Sequence, residues 1–159
     1  MTSADPRREY DAAGIMELLP HRPPMLLVDR LIDVVPGVSA LGIKLVRPDE
    51  IFLQGHFPGK PVMPGVMIIE AMAQAAGAMA IAGQGPEDRN KLVLFTTLDN
   101  ARFRKPVEPG DTLHLKVATR RKRHPFWQFA GEAFVGDSLC AEAEFGAMLM
   151  EPGRMAGKS

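Results

Sequence analysis

Residues 64–83 read PGVMIIEAMAQAAGAMAIAG, and this run decides the fold. A proline is harmless at a helix start, where its missing N–H has no partner to lose, and Gly83 supplies a stop. Between them Val66, Met67, Ile68, Ile69, Met72, Met79 and Ile81, with small residues elsewhere, leave no wide polar face. A helix apolar all round is a buried one. Its strongly polar side chains are Glu70 and Gln74, four apart and so stacked on one face. A carboxyl group there must find a partner or resist ionisation, because desolvation penalises the charged form. That is the property a general acid needs near neutral pH. A structural Glu70–Gln74 hydrogen bond, or a place at a subunit edge, fits the same pattern. The run approaches the roughly 20 residues of a membrane span. Glu70, Gln74 and the alanine and glycine content point instead to a core helix.

Just upstream, Gln54-Gly55-His56-Phe57-Pro58-Gly59 places a histidine in a stretch rich in proline and glycine between Pro48 and Gly65. Such residues make a sharply routed, stiff loop. Histidine titrates near neutrality and exchanges protons in both directions. The helix start at Pro64–Met67 offers unpaired backbone N–H groups to a carbonyl or a developing oxyanion. A base, an acid and an oxyanion site together describe proton removal beside a thioester carbonyl with departure of a hydroxyl.

Working outward, residues 12–19 read as a short helix stopped by Pro20, and 25–35 and 38–47 as adjacent strands around the turn Pro36-Gly37. Residues 92–98, 112–119, 126–135 and 139–150 read as further strands. TLHLKVAT and SLCAEAEF show the period of two of a half-buried antiparallel sheet. The order predicts an α+β fold with one long helix facing an antiparallel sheet. The expected organisation is a flexible leader at 1–13, one domain at 14–150 and a flexible tail at 151–159.

Composition narrows the function classes. Apolar residues at 46% and charged residues at 24% exclude a disordered chain. Nineteen basic and nineteen acidic residues give no overall attraction to nucleic acid or an anionic membrane. The single Cys140 excludes an intramolecular disulfide framework and suits a reducing, cytoplasmic setting. Glycines 59 and 65 do not form a phosphate loop, and His21, His114 and His124 lack metal-ligand spacing, so neither cofactor nor metal is expected.

The run His56-Phe57-Pro58-Gly59-Lys60-Pro61-Val62-Met63-Pro64-Gly65-Val66, continuing to Glu70-Ala71-Met72-Ala73-Gln74, closely resembles the signature of the FabZ-type (3R)-3-hydroxyacyl-acyl-carrier-protein dehydratases. The likeness extends to 18–30 (LLPHRPPMLLVDR), 101–111 (ARFRKPVEPGD) and 141–144 (AEAE). It implies a hot-dog fold, a long central helix wrapped by an antiparallel sheet, working as a homodimer with three dimers in a hexamer. By motif position it implies His56 as the base at C2 and Glu70 of the other subunit acting on the C3 hydroxyl. It further implies the Gly65 amide on the thioester carbonyl, the Val62 carbonyl orienting the imidazole, and Gln74 supporting Glu70. The FabA-type dehydratase–isomerases carry aspartate where this chain has Glu70, which favours plain dehydration. A hot-dog acyl thioesterase is the alternative of another reaction class. The resemblance also implies an acidic acyl carrier protein as partner. Arg102, Arg104, Lys105 and Arg120 to Arg123 are the basic residues expected to steer it.

Overall fold

The structure is a computed structural model that describes residues 8–151. Its elements run β1 (Arg8–Tyr10), α1 (Ala12–Leu18), β2 (Arg30–Val35), β3 (Ser39–Leu45), α2 (Gly65–Ala82), β4 (Leu92–Phe103), β5 (Thr112–Arg123), β6 (Phe126–Val135) and β7 (Ser138–Met150). Short 3₁₀ turns at Ile51–Leu53 and Pro86–Asp88 lie on either side of α2. All seven strands form one antiparallel sheet in the order β1-β2-β3-β5-β6-β7-β4. The sheet wraps α2, the hot-dog arrangement that the family resemblance implies.

Helix α2 begins at Pro64 and ends where the Gly83 N–H reaches the carbonyls of Ala80 and Ile81. From Ile68 to Ile81 every residue except Glu70 is buried. The inward faces of the strands bring Leu115, Val117, Phe129 and Phe145 into the same core. Contact is close enough to require a residue without a side chain. A Cβ on Gly131 of β6 would lie 2.5 Å from the Met72 sulfur. The apolar helix is thus the core of the molecule, and its length is accounted for without a membrane.

Four boundaries differ from those expected. Arg8–Tyr10, inside the expected leader, pairs with β2, and Asp11 caps α1 by accepting the Gly14 N–H at 2.8 Å. Regular structure therefore includes residues 8–10, before residue 14; the rest of the expected leader up to residue 7 and all but Glu151 of the expected tail lie outside the described residues. Strand β2 starts at Arg30 rather than Met25. The Met25 and Leu26 N–H groups close a turn onto the Arg22 carbonyl, and the Leu27 N–H goes to a side chain of α2. Strands β4 and β5 run further than the period of two suggests, to Phe103 and Arg123. Register shifts between Phe95 and Thr97, and between Asp99 and Arg102, break the alternation in β4.

Candidate active site

The chain between β3 and α2 is a loop whose shape is set by a few specific bonds. The His56 N–H donates to the Leu53 carbonyl at 3.1 Å, and the Val62 N–H returns to the His56 carbonyl at 2.8 Å. Phe57 and Lys60 exchange backbone bonds at 3.0 and 2.9 Å, making a tight turn between them. The imidazole Nδ1 lies 2.9 Å from the Val62 carbonyl oxygen. A carbonyl only accepts, so Nδ1 carries the proton and Nε2 of the neutral ring carries the basic lone pair. Phe57 stacks on the ring with centroids 4.2 Å apart.

This ring opens on a cleft of about 380 Å³ lined by His56, Val62, Gly65, Val66, Phe103 and Lys105, among others. The Met63 N–H donates to the Val107 carbonyl at 2.8 Å and ties the loop to the opposite wall. The first donors of α2 with a partner are Met67 and Ile68, both to the Pro64 carbonyl. Among the described residues the Gly65 and Val66 N–H groups have no partner, and they stand at the positive end of the helix dipole. Phe103 packs so closely on Gly65 that a Cβ there would sit 2.5 Å from the ring. Only glycine lets the aromatic wall approach the helix start this far.

Glu70 stands in different surroundings. Gln74 donates from Nε2 to its Oε2 at 2.8 Å, and His21 Nε2 lies 3.6 Å from the same oxygen. Gln74 is 1% exposed and uses both ends of its amide: Nε2 also donates to the Met25 carbonyl, and Oε1 accepts the Leu27 N–H, each at 2.8 Å. It thus fastens the segment before β2 to α2 and holds Glu70 at the same time. His21 is held below the ordinary histidine range, first by burial; the Glu70 charge opposes this and Arg22 adds to it. The His21 Nδ1 is buried without a hydrogen-bond partner among the described residues.

Within one chain the structure brings His56, Val62 and Gly65 together on one cleft, and Glu70 with Gln74 elsewhere. Glu70 does not line the His56 cleft. Five residues after Gly65, the helix has turned by roughly 500°, about 140° away from the face Gly65 presents. His21 is the neighbour of Glu70 that sequence reasoning passed over. Its place in a Pro-His-Arg segment after α1 was visible, but nothing local indicates that the segment returns to α2. Of the seven basic residues expected to steer a partner, two, Arg104 and Lys105, line the His56 cleft. Arg104 is ion-paired with Glu142. Arg120 to Arg123 lie along the exposed end of β5 and do not line it. Among the described residues no group of three or more His, Cys, Asp or Glu side chains could hold a metal ion.

A long helix inside an antiparallel sheet, with a histidine loop entering the helix start, defines a hot-dog protein of the FabA-like class. Residues 19–144 match the FabA-like domain family. The chain is 50% identical over 144 residues to the 3-hydroxyacyl-[acyl-carrier-protein] dehydratase FabZ of Acidiphilium cryptum, covering 91% of this chain and 87% of that one. It is 52% identical over 145 residues to the FabZ dehydratase of Rhodospirillum rubrum, covering 91% of each. Among solved structures, the dehydratase heterocomplex ApeI:P of Xenorhabdus doucetiae shares the fold with a TM-score of 0.77 at 20% identity, over 91% of this chain and 97% of that one. The chain belongs to the FabZ dehydratase family.

Proposed function

We propose that the protein is a hydro-lyase that converts (3R)-3-hydroxyacyl-[acyl-carrier-protein] to the trans-2-enoyl form during fatty acid elongation in the cytoplasm. The observation that carries this reading is the clamped imidazole: Nδ1 is committed to Val62, and a basic Nε2 remains at a cleft beside unpaired amides. With the acyl thioester in that cleft, the Gly65 N–H receives the thioester oxygen and His56 Nε2 takes a proton from C2. Charge develops on the oxygen at the helix start, where the dipole favours it. Glu70 of a second copy gives a proton to the C3 hydroxyl, directly or through a water, and the C3–O bond breaks to release water. The C2 proton then passes from His56 through solvent to restore Glu70.

The second copy is supported by an unfinished edge. Among the described residues strand β4 pairs with β7 on one side only, and along it Phe95, Leu98 and Phe103 are 44%, 49% and 53% exposed. A long apolar edge strand is a pairing surface. A homodimer joined there, and a hexamer of three such dimers, complete the assembly. Lys105 and Arg104 at the cleft rim face the acidic carrier protein.

Incubation with a 3-hydroxyacyl carrier thioester tests the reaction class. Loss of water with the thioester intact is expected. Release of free carrier thiol without enoyl product would identify a thioesterase, and a cis-3 product accompanying the trans-2 one would identify FabA-like isomerisation.

A further inference from the structure

Two polar side chains are fully buried among the described residues, Gln74 and Lys44. Gln74 is explained by Glu70 and the segment it fastens. Lys44, 2% exposed on the inward face of β3, has no such role in the chemistry above. An ammonium in a core needs a counter-charge, and Glu50 supplies it: Nζ donates to Oε2 at 2.5 Å, with side-chain exposures of 3% and 13%. The same oxygen accepts the Arg47 N–H at 3.2 Å, and the Phe52 ring centroid lies 5.8 Å from Nζ.

From Glu50 two backbone hydrogen bonds step along the loop to the candidate base. The Glu50 carbonyl accepts the Leu53 N–H at 3.1 Å, and the Leu53 carbonyl accepts the His56 N–H at 3.1 Å. The His56 carbonyl and ring then close onto Val62. Between Val46 and Pro64 the backbone has one short 3₁₀ turn and no strand or helix to fix it. We infer that Lys44 and Glu50 are a positioning pair for His56: a buried ion pair on β3 that sets the height and direction of the loop presenting the imidazole to the cleft. This rests on the dehydratase reading of that cleft. An apolar pair of the same volume would fill the core equally well. A directed bond in a low-dielectric interior adds register, because sliding the loop would strand a charge.

The test is the double variant Lys44→Met/Glu50→Gln, which removes both charges together and keeps the volume. It is expected to fold and assemble, to bind the 3-hydroxyacyl thioester with KM within about twofold of the parent, and to lose about 10- to 100-fold in kcat through misplacement of the base. In ¹⁵N NMR of the labelled protein above neutral pH, the two His56 nitrogens should move from a single Nδ1–H tautomer towards averaged values. Lys44→Arg, which keeps charge and donor, should stay within about threefold of the parent kcat and keep the parent tautomer. A folded double variant with parental kcat and parental His56 signals overturns the pair's role. If that variant does not fold, Glu50→Asp, which keeps the charge and withdraws the carboxylate by one methylene, is read by the same two criteria. A parent enzyme that fails to dehydrate the thioester refutes the reaction, while the tautomer measurement still decides the tether.

Discussion

The loop Val46–Pro64 and helix α2 meet at Pro64, yet they hold their candidate catalytic side chains by different means. In the interior of α2 the backbone is held by the repeating bonds of the helix, so Glu70 and Gln74 keep a fixed relation one turn apart. The loop has no repeating ladder. Its geometry depends on single bonds: His56 to Val62, Met63 to Val107, Lys44 to Glu50. Each region is backed by one buried polar residue: Gln74, within α2 itself, for the helix, and Lys44, on β3, for the loop. The difference concerns redundancy. A helix shares a lost contact among its neighbours, whereas a loop fixed by isolated bonds moves when one is cut.

The largest effects belong to the two side chains at the ends of this comparison. His56→Ala and Glu70→Gln are each expected to leave a folded oligomer by size-exclusion chromatography and to lower turnover by about 10²–10⁴. Turnover within a few-fold of the parent for either variant would remove that residue from the mechanism.

The helical half of this pairing was legible in the sequence and the loop half was legible only in part. Glu70 and Gln74 stand out because everything around them in residues 64–83 is apolar, and the spacing of four places them on one face. His56 was visible through its proline and glycine neighbours, and its bond to Val62 through the family signature. Lys44 was not. In the strand GIKLVR a lysine reads as an ordinary charge on a wet face, and only its partner six residues on, in an irregular turn, makes it a core residue. His21 was missed for the same reason: what it touches is 49 positions away in the chain. The fold class followed from periodicity. The extra length of β4 was hidden by its bulges, and β1 is too short for any period to show.

Intermediate effects separate support from chemistry. Gln74→Leu strands the Leu27 N–H and the Met25 carbonyl as well as releasing Glu70, so a loss of about 2–4 kcal/mol is expected from urea unfolding. A loss below about 1 kcal/mol would mean that the segment before β2 re-pairs elsewhere. On the loop side, Gly65→Ala forces the Phe103 ring away from the helix start. The ring has to give way, so a stability loss of about 1–3 kcal/mol is expected while turnover falls. Combining it with Phe103→Ala relieves the clash. Recovery of turnover in the double variant would show that the displaced ring obstructs the cleft, and full activity in Gly65→Ala alone would show that the close approach is irrelevant to catalysis.

The smallest effect is a dependence on pH centred on His21. Burial holds its folded-state pKa below the ordinary 6.5, with the Glu70 charge pulling the other way. The unfolded chain therefore binds a proton that the folded one refuses in the interval between the two values. Stability from this group is fully present above about pH 6.5 and is lost as pH falls through the folded value. His21→Gln does not titrate, so its urea midpoint should drop less than the parent's between about pH 7.5 and 5.5. Glu70→Gln should make the drop steeper, because removing the carboxylate takes away the charge that favours the protonated ring and leaves burial and Arg22 unopposed. Equal drops in the parent and His21→Gln would mean that the buried imidazole, with its unpartnered Nδ1, is not what makes the Glu70 side of the molecule sensitive to acid.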